Sequence, residues 1–103
     1  MQLTKDGDKF DELQSIFIGG IIDEVKTQLE SANLSASQVR DLLEKISFSV
    51  ATILDGSCSV EFDGVEASPI ITFQSGDTEL IYSGGNSWMH EYVFGTISEI
   101  YGE

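Results

Sequence analysis

The chain is predicted to be an α+β fold in the order α-α-β-β-β-α, and three observations predict it. Apolar residues recur at spacings of three and four over two long segments before residue 55. Beyond residue 56 they alternate with polar ones, and an Asp63-Gly64 pair divides two alternating runs. The expected architecture is an antiparallel helical hairpin and a C-terminal helix packed on one face of a three-stranded antiparallel meander. With 103 residues the chain is long enough for one domain, 1–103, and short for two.

The first helix is expected over 8–32. Asp8 is a suitable N-cap, and Asp11 and Glu12 fall in the first turn, where the helix dipole favours acids. Phe10, Leu13, Phe17, Ile21, Val25 and Leu29 form one face, widened by Ile18 and Ile22. Gly19-Gly20 in the middle costs roughly 1 kcal/mol per glycine relative to alanine, so a continuous or kinked helix is expected, with another backbone close by as one reason for the pair.

The second helix is expected over 36–55. Ser35 and Gln38 have capping-box spacing, and Val39, Leu42, Leu43, Ile46, Val50, Ile53 and Leu54 make the clearest amphipathic pattern in the chain. Asp55-Gly56 ends it, the glycine being free to turn left-handed. Asp55-Gly56-Ser57 is read as helix termination rather than as a carboxylate working with a hydroxyl. The short link between the helices implies that they are antiparallel.

Strands are expected at 58–62, 65–73 and 79–83. Asp63-Gly64 pairs Phe62 with Val65 and Val60 with Ala67. A four-residue turn, Ser75 to Thr78, pairs Phe73 with Leu80 and Ile71 with Tyr82, all facing inward. The outer face is then Ser59, Glu61, Glu66, Ser68, Ile70, Thr72, Glu79, Ile81 and Ser83. A last helix is expected over 87–101, with Asn86 or Ser87 as N-cap and Met89, Tyr92, Val93, Ile97, Ile100 and Tyr101 along one side. Its place is expected to be between the helical hairpin and the sheet.

Charge narrows the function classes. Eighteen acids against five Lys and Arg give a formal net charge of −13. That balance argues against nucleic acid, whose affinity comes from cations displacing counterions, and against an anionic membrane surface. A hydrophobic content of 41% with a single proline argues against disorder. The charge is also uneven. Residues 1–45 hold all five basic residues and nine acids, a net of −4, whereas 46–103 hold nine acids and no Lys or Arg, a net of −9. No basic stretch followed by an apolar run opens the chain, so no secretory signal is expected. A lone cysteine, Cys58, fits a reducing compartment, and a cytoplasmic location is expected.

Two sets of candidate site residues emerge. Ile70 and Ile81, ringed by Glu61, Glu66 and Glu79 with Thr72 between, form an apolar anchor with a charged rim on the outer sheet face. The competing view is a solvated face with two scattered apolar residues. Trp88, His90 and Tyr92 are candidates for a ligand pocket between helices and sheet, within an aromatic-rich stretch that also holds Phe94 and Tyr101.

Other chemistry is weaker. Cys58 and His90 are the sole thiol and imidazole, but Cys58 falls on the inward alternation of its strand, the ordinary place of a small buried hydrophobe. Asp6-Gly7-Asp8 leads into Phe10 and Phe17 where a calcium loop wants oxygen donors. Ser83-Gly84-Gly85-Asn86-Ser87 lacks the cation of a phosphate cradle. No catalytic residue, metal site or cofactor is therefore expected. The expected function is that of a small acidic, non-enzymatic interaction protein for a basic protein partner, of the kind an immunity or antitoxin-like protein represents. The alternatives are a binding module for a cationic or apolar small molecule, and a homodimer of purely structural role.

Overall fold

The computed structural model describes residues 1–85 and 87–103. Its elements are β1 (Gln2–Lys5), α1 (Gly7–Glu30), α2 (Ala36–Leu54), β2 (Val60–Phe62), β3 (Val65–Ala67), β4 (Phe73–Ser75), β5 (Glu79–Tyr82), a 3-10 turn (Met89–Tyr92) and α3 (Val93–Ile100). The fold is α+β, with helices packed on a small sheet.

Local signals set the helix ends. At α2 the capping box is complete: Gln38 N donates to Ser35 Oγ at 3.2 Å and Ser35 N to Gln38 Oε1 at 2.9 Å. α1 begins earlier than expected, because Asp6 rather than Asp8 is the N-cap, its carboxylate accepting from Lys9 N at 3.1 Å. α1 runs unbroken through Gly19-Gly20, and among the described residues nothing packs where a side chain at either glycine would project. Two helix-weakening residues are thus carried without a close backbone neighbour.

The buried stripes lie slightly to one side of the apolar periodicity. In α1 the deepest residues are Phe10, Gln14, Ile18 and Ile22, while Phe17 is partly exposed. In α2 they are Val39, Leu43, Ser47 and Ala51, while Ile46 and Ile53 are partly exposed. Small side chains at Ser47 and Ala51 let a helix be approached closely, so the packed seam follows size as well as hydropathy. Ile18, Ile22, Leu43, Ala51, Met89, Val93 and Ile97 form the core, with Ile21, Val25, Leu29, Leu54, Tyr92, Ile100 and Tyr101 against it. α3 packs on α1 and α2, completing a helical layer instead of lying between that pair and a sheet.

The meander is absent. The run expected as one strand, 65–73, is divided: Val65–Ala67 pairs only with β2, and Phe73–Ser75 joins a separate sheet of order β1-β5-β4. β1, which carries no strand signal of its own, runs parallel to β5 from Gln2↔Glu79 to Lys5↔Tyr82. The β4–β5 register differs by one residue from the expected one, with Phe73 opposite Ile81 and Ser75 opposite Glu79. A three-residue turn with Gly76 at φ 63° closes this hairpin instead of four residues. Because a one-residue slip exchanges faces, Ile81 is turned into the core, where it is 2% exposed. Phe73 meets the rings of Phe10 and Phe17 at 5.2 and 5.5 Å, which seats the sheet on α1.

The β2–β3 hairpin has the expected register, Phe62↔Val65 and Val60↔Ala67, around Asp63 and Gly64, both at positive φ. Its surroundings are not the expected ones. Phe62 is 86% and Val65 71% exposed, so the face predicted to be buried stands in water. The radius of gyration, 15.2 Å, exceeds the roughly 13 Å of a compact chain this long, as a projecting arm requires.

Candidate functional site

The end of α2 is tied to the 3-10 turn by one side chain. Asp55, the C-cap of α2, is 1% exposed and carries a carboxylate. Its Oδ1 accepts from Ser57 N at 2.9 Å, and its Oδ2 accepts from His90 N at 3.0 Å and from His90 Nδ1 at 2.5 Å. Burial pushes this carboxyl up, but the hydrogen bonds from Ser57 and His90 outweigh it and hold the group below its ordinary 3.8. Asp55 is therefore a buried carboxylate that stays ionised because its neighbours donate to it. The backbone tightens into a 3-10 turn at this point, with Glu91 N donating to Trp88 O at 2.9 Å.

Ser57 Oγ also lies 3.1 Å from His90 Nδ1. An acid, an imidazole and a hydroxyl thus meet, but the hydroxyl and the carboxylate address the same ring nitrogen. A nucleophile relay needs the hydroxyl on one nitrogen and the acid on the other, so this geometry locks a turn rather than activating Ser57.

From His90 a row of rings runs across the surface. Trp88 lies 5.9 Å from the imidazole, the imidazole 5.7 Å from Phe48, and Phe48 5.6 Å from Phe94. Trp88 is 63% and Phe94 51% exposed. Along Phe48 and Phe94 a groove of 340 Å³ is bordered by Asp41, Glu44 and Lys45. At the other end, a cavity of 310 Å³ is lined by Asp55, Gly56, Ser57, Ser87 and Trp88. Ser87 is 6% exposed, and its Oγ has no hydrogen-bond partner among the described residues.

Compared with protein-family models, curated proteins and solved structures, the chain matches none. The reading of this surface therefore rests on its own geometry.

The two predicted site groups fare differently in space. Trp88 and His90 adjoin, but Tyr92 turns away to pack against the core. The cavity beside Trp88 lies at the end of α2, not between the helices and the sheet. The predicted sheet-face anchor does not assemble. Ile81 is buried by the register slip, Ile70 is exposed in the link between two sheets, and Glu61 and Glu66 project from the hairpin. Thr72 and Glu79 are half-buried and belong near the other sheet. Cys58 is exposed and precedes β2, so it is not the buried strand residue expected. The N-cap role expected of Ser87 is not realised, because Trp88 caps the turn without a side-chain bond, and Asn86 lies outside the described residues.

The residues that sequence reasoning missed are Asp55, Ser87 and Phe48. Asp55 reads in sequence as a helix stop and Phe48 carries no signal of its own, and both reach His90, more than thirty residues on, only through the packing of α2 on the last segment. Among the described residues, no three His, Cys, Asp or Glu side chains gather as a metal would need, and no helix is long and apolar enough to cross a membrane.

Proposed function

We propose that this chain is a non-enzymatic interaction protein whose aromatic row, Trp88–His90–Phe48–Phe94, anchors a basic protein partner. The observation that carries the reading is the row itself: four rings in successive contact, the outer ones more than half exposed, with Asp41, Glu44 and Lys45 bordering the groove along Phe48 and Phe94. Aromatic side chains are frequent energetic anchors of interfaces, and the chain's excess of acid over base favours a partner of the opposite sign. Among the described residues three of the five cations are ion-paired, Arg40 with Glu103 and Glu44, Lys26 with Glu30 and Lys45 with Asp41, and no Lys or Arg follows Lys45. An immunity-like or antitoxin-like role belongs to this class, as does a reducing, cytoplasmic setting, which the lone exposed thiol of Cys58 favours.

The test is affinity capture from the source lysate with mass-spectrometric identification, using the wild type and a Phe48→Ala/Phe94→Ala variant at low and high salt. A basic protein should be captured by the wild type at low salt, weakened at high salt and lost with the variant. Capture unaffected by the double substitution would overturn the reading.

One observation favours a second reading, self-association through the β2–β3 hairpin. Val60, Phe62, Val65 and Ala67 share one face of the hairpin, with Phe62 86% and Val65 71% exposed, whereas an isolated two-stranded hairpin is marginal in water. Sedimentation of the wild type against Phe62→Ser decides it: an unchanged monomer in both excludes this reading.

A further inference from the structure

The two ring nitrogens of His90 have different surroundings. Nδ1 lies 2.5 Å from Asp55 Oδ2, on a carboxylate side chain with no accessible surface. Because that carboxyl stays ionised, the nitrogen facing it carries the proton, and in the neutral imidazole the lone pair is on Nε2. Nε2 makes no hydrogen bond among the described residues. The buried side-chain polar atoms without a partner there are Gln14 Oε1, Ser47 Oγ and Ser87 Oγ. His90 Nε2 is not one of them, so it meets solvent, on a side chain that is 20% exposed. This basic nitrogen sits inside the aromatic row, its ring 5.9 Å from that of Trp88 and 5.7 Å from that of Phe48.

We propose, resting on the basic-partner reading, that His90 Nε2 is the polar contact of the row: it accepts a hydrogen bond from a lysine ammonium of the partner and releases it on taking up a proton. One lone pair suits a compact ammonium, whereas the planar fork of a guanidinium asks for two acceptors side by side. A metal ion would use the same lone pair, but among the described residues no further ligands gather. The charges around the ring have the sign that a cation needs. Asp55 contacts it from the end of α2, and Glu91 follows it in the same turn and is exposed. Asp41, Glu44 and Lys45 border the groove along Phe48, with Lys45 paired to Asp41. The packed faces of α1 and α3 bring no ionisable group, and Glu99 of α3 is exposed. A proton on Nε2 turns the acceptor into a donor and adds a positive charge to the row, so the hydrogen bond and the field reverse together.

The sole tryptophan of the chain adjoins its sole histidine, so Trp88 fluorescence reports on the contact. The full chain is titrated at constant ionic strength, at about pH 7.5 and about pH 5.5, with acetyl-hexalysine amide and with its Nε-trimethylated counterpart. The second peptide has the same charge and no side-chain N–H donor. At the higher pH hexalysine should bind at least about threefold more tightly than the trimethylated peptide. At the lower pH hexalysine should weaken by about threefold to thirtyfold, and the preference should vanish. His90→Asn, whose amide donates to Asp55 as Nδ1 does and offers nothing in place of Nε2, should lose both differences. His90→Gln, which takes up no proton, should lose the pH difference and serves where His90→Asn does not fold. No saturable binding of hexalysine up to about 10 mM, equal or tighter binding of the trimethylated peptide at the higher pH, or a pH difference that persists in the His90 variants overturns the proposal. Lysate capture that ignores Phe48→Ala/Phe94→Ala, with the His90-dependent differences intact, would refute the partner reading and leave this contact standing.

Discussion

Asp55→Ala should be the most damaging polar substitution in the chain. The carboxylate accepts from two backbone N–H groups and one imidazole nitrogen, at 2.9, 3.0 and 2.5 Å, in a site 1% exposed. Hydrogen bonds to a charged group contribute roughly 1.5–3 kcal/mol each, but they share one acceptor and do not add. Truncation also strands two partly buried N–H donors and opens space for only three heavy atoms. The expected cost is therefore about 3–5 kcal/mol, near that of breaking a buried ion pair. A chain of this length has roughly 5–15 kcal/mol in all, so the variant should be marginal at 37 °C.

Asp55→Asn keeps an acceptor for one N–H and should cost about 1–2 kcal/mol. Urea unfolding followed by far-UV circular dichroism measures both. A loss under about 1 kcal/mol for Asp55→Ala would refute the claim that this side chain ties α2 to the last segment. The pH dependence is a second arm. The native carboxyl titrates below its ordinary 3.8, so its contribution is complete above that value and is lost as pH falls through the lower native one. The stability gap between wild type and Asp55→Asn should be constant from pH 7 to about 5 and shrink below about 4. A gap that does not shrink in acid would show that the native carboxyl is not depressed.

Two further substitutions test the fold. Ile81→Ala should cost about 2–4 kcal/mol because Ile81 is buried, whereas Ile70→Ala should stay within about 0.5 kcal/mol; equal costs would mean that the observed β4–β5 register is wrong. Gly20→Ala, exposed within a continuous helix and free of neighbours among the described residues, should stabilise by about 0.5–1 kcal/mol, and a raised thermal midpoint checks it. A loss there would reveal a close neighbour at the glycine pair.

The sheet shows why some elements were legible and others not. The Asp63-Gly64 turn specifies its own hairpin, since both residues adopt the positive φ that the flanking strand twist requires. The Ser75–Thr78 turn has no such constraint. Loops of three or four residues are both compatible with that composition, and the choice decided whether Ile81 or its neighbours faced inward. Pro69 and the residues after Ala67 could have continued a strand, but β4 instead found β5, whose other edge was taken by Gln2–Lys5. A four-residue parallel strand has no local signature, because all its hydrogen bonds depend on a partner more than seventy residues away.

The candidate site divides in the same manner. The aromatic richness of 88–101 and the presence of one histidine are visible in the residues alone, as are the helical hairpin, its capping box and the concentration of uncompensated acid after Lys45. These depend on nearest neighbours, on periodicity and on counting, which the order of the amino acids contains in full. Asp55 meeting His90 and Phe48 joining the ring row depend on how α2 lies against the last segment. That placement follows from side-chain volume across the whole core, from Ser47 and Ala51 on α2 to Met89, Val93 and Ile97. Packing is a property of many residues at once, so the site it assembles becomes visible only when the chain is folded.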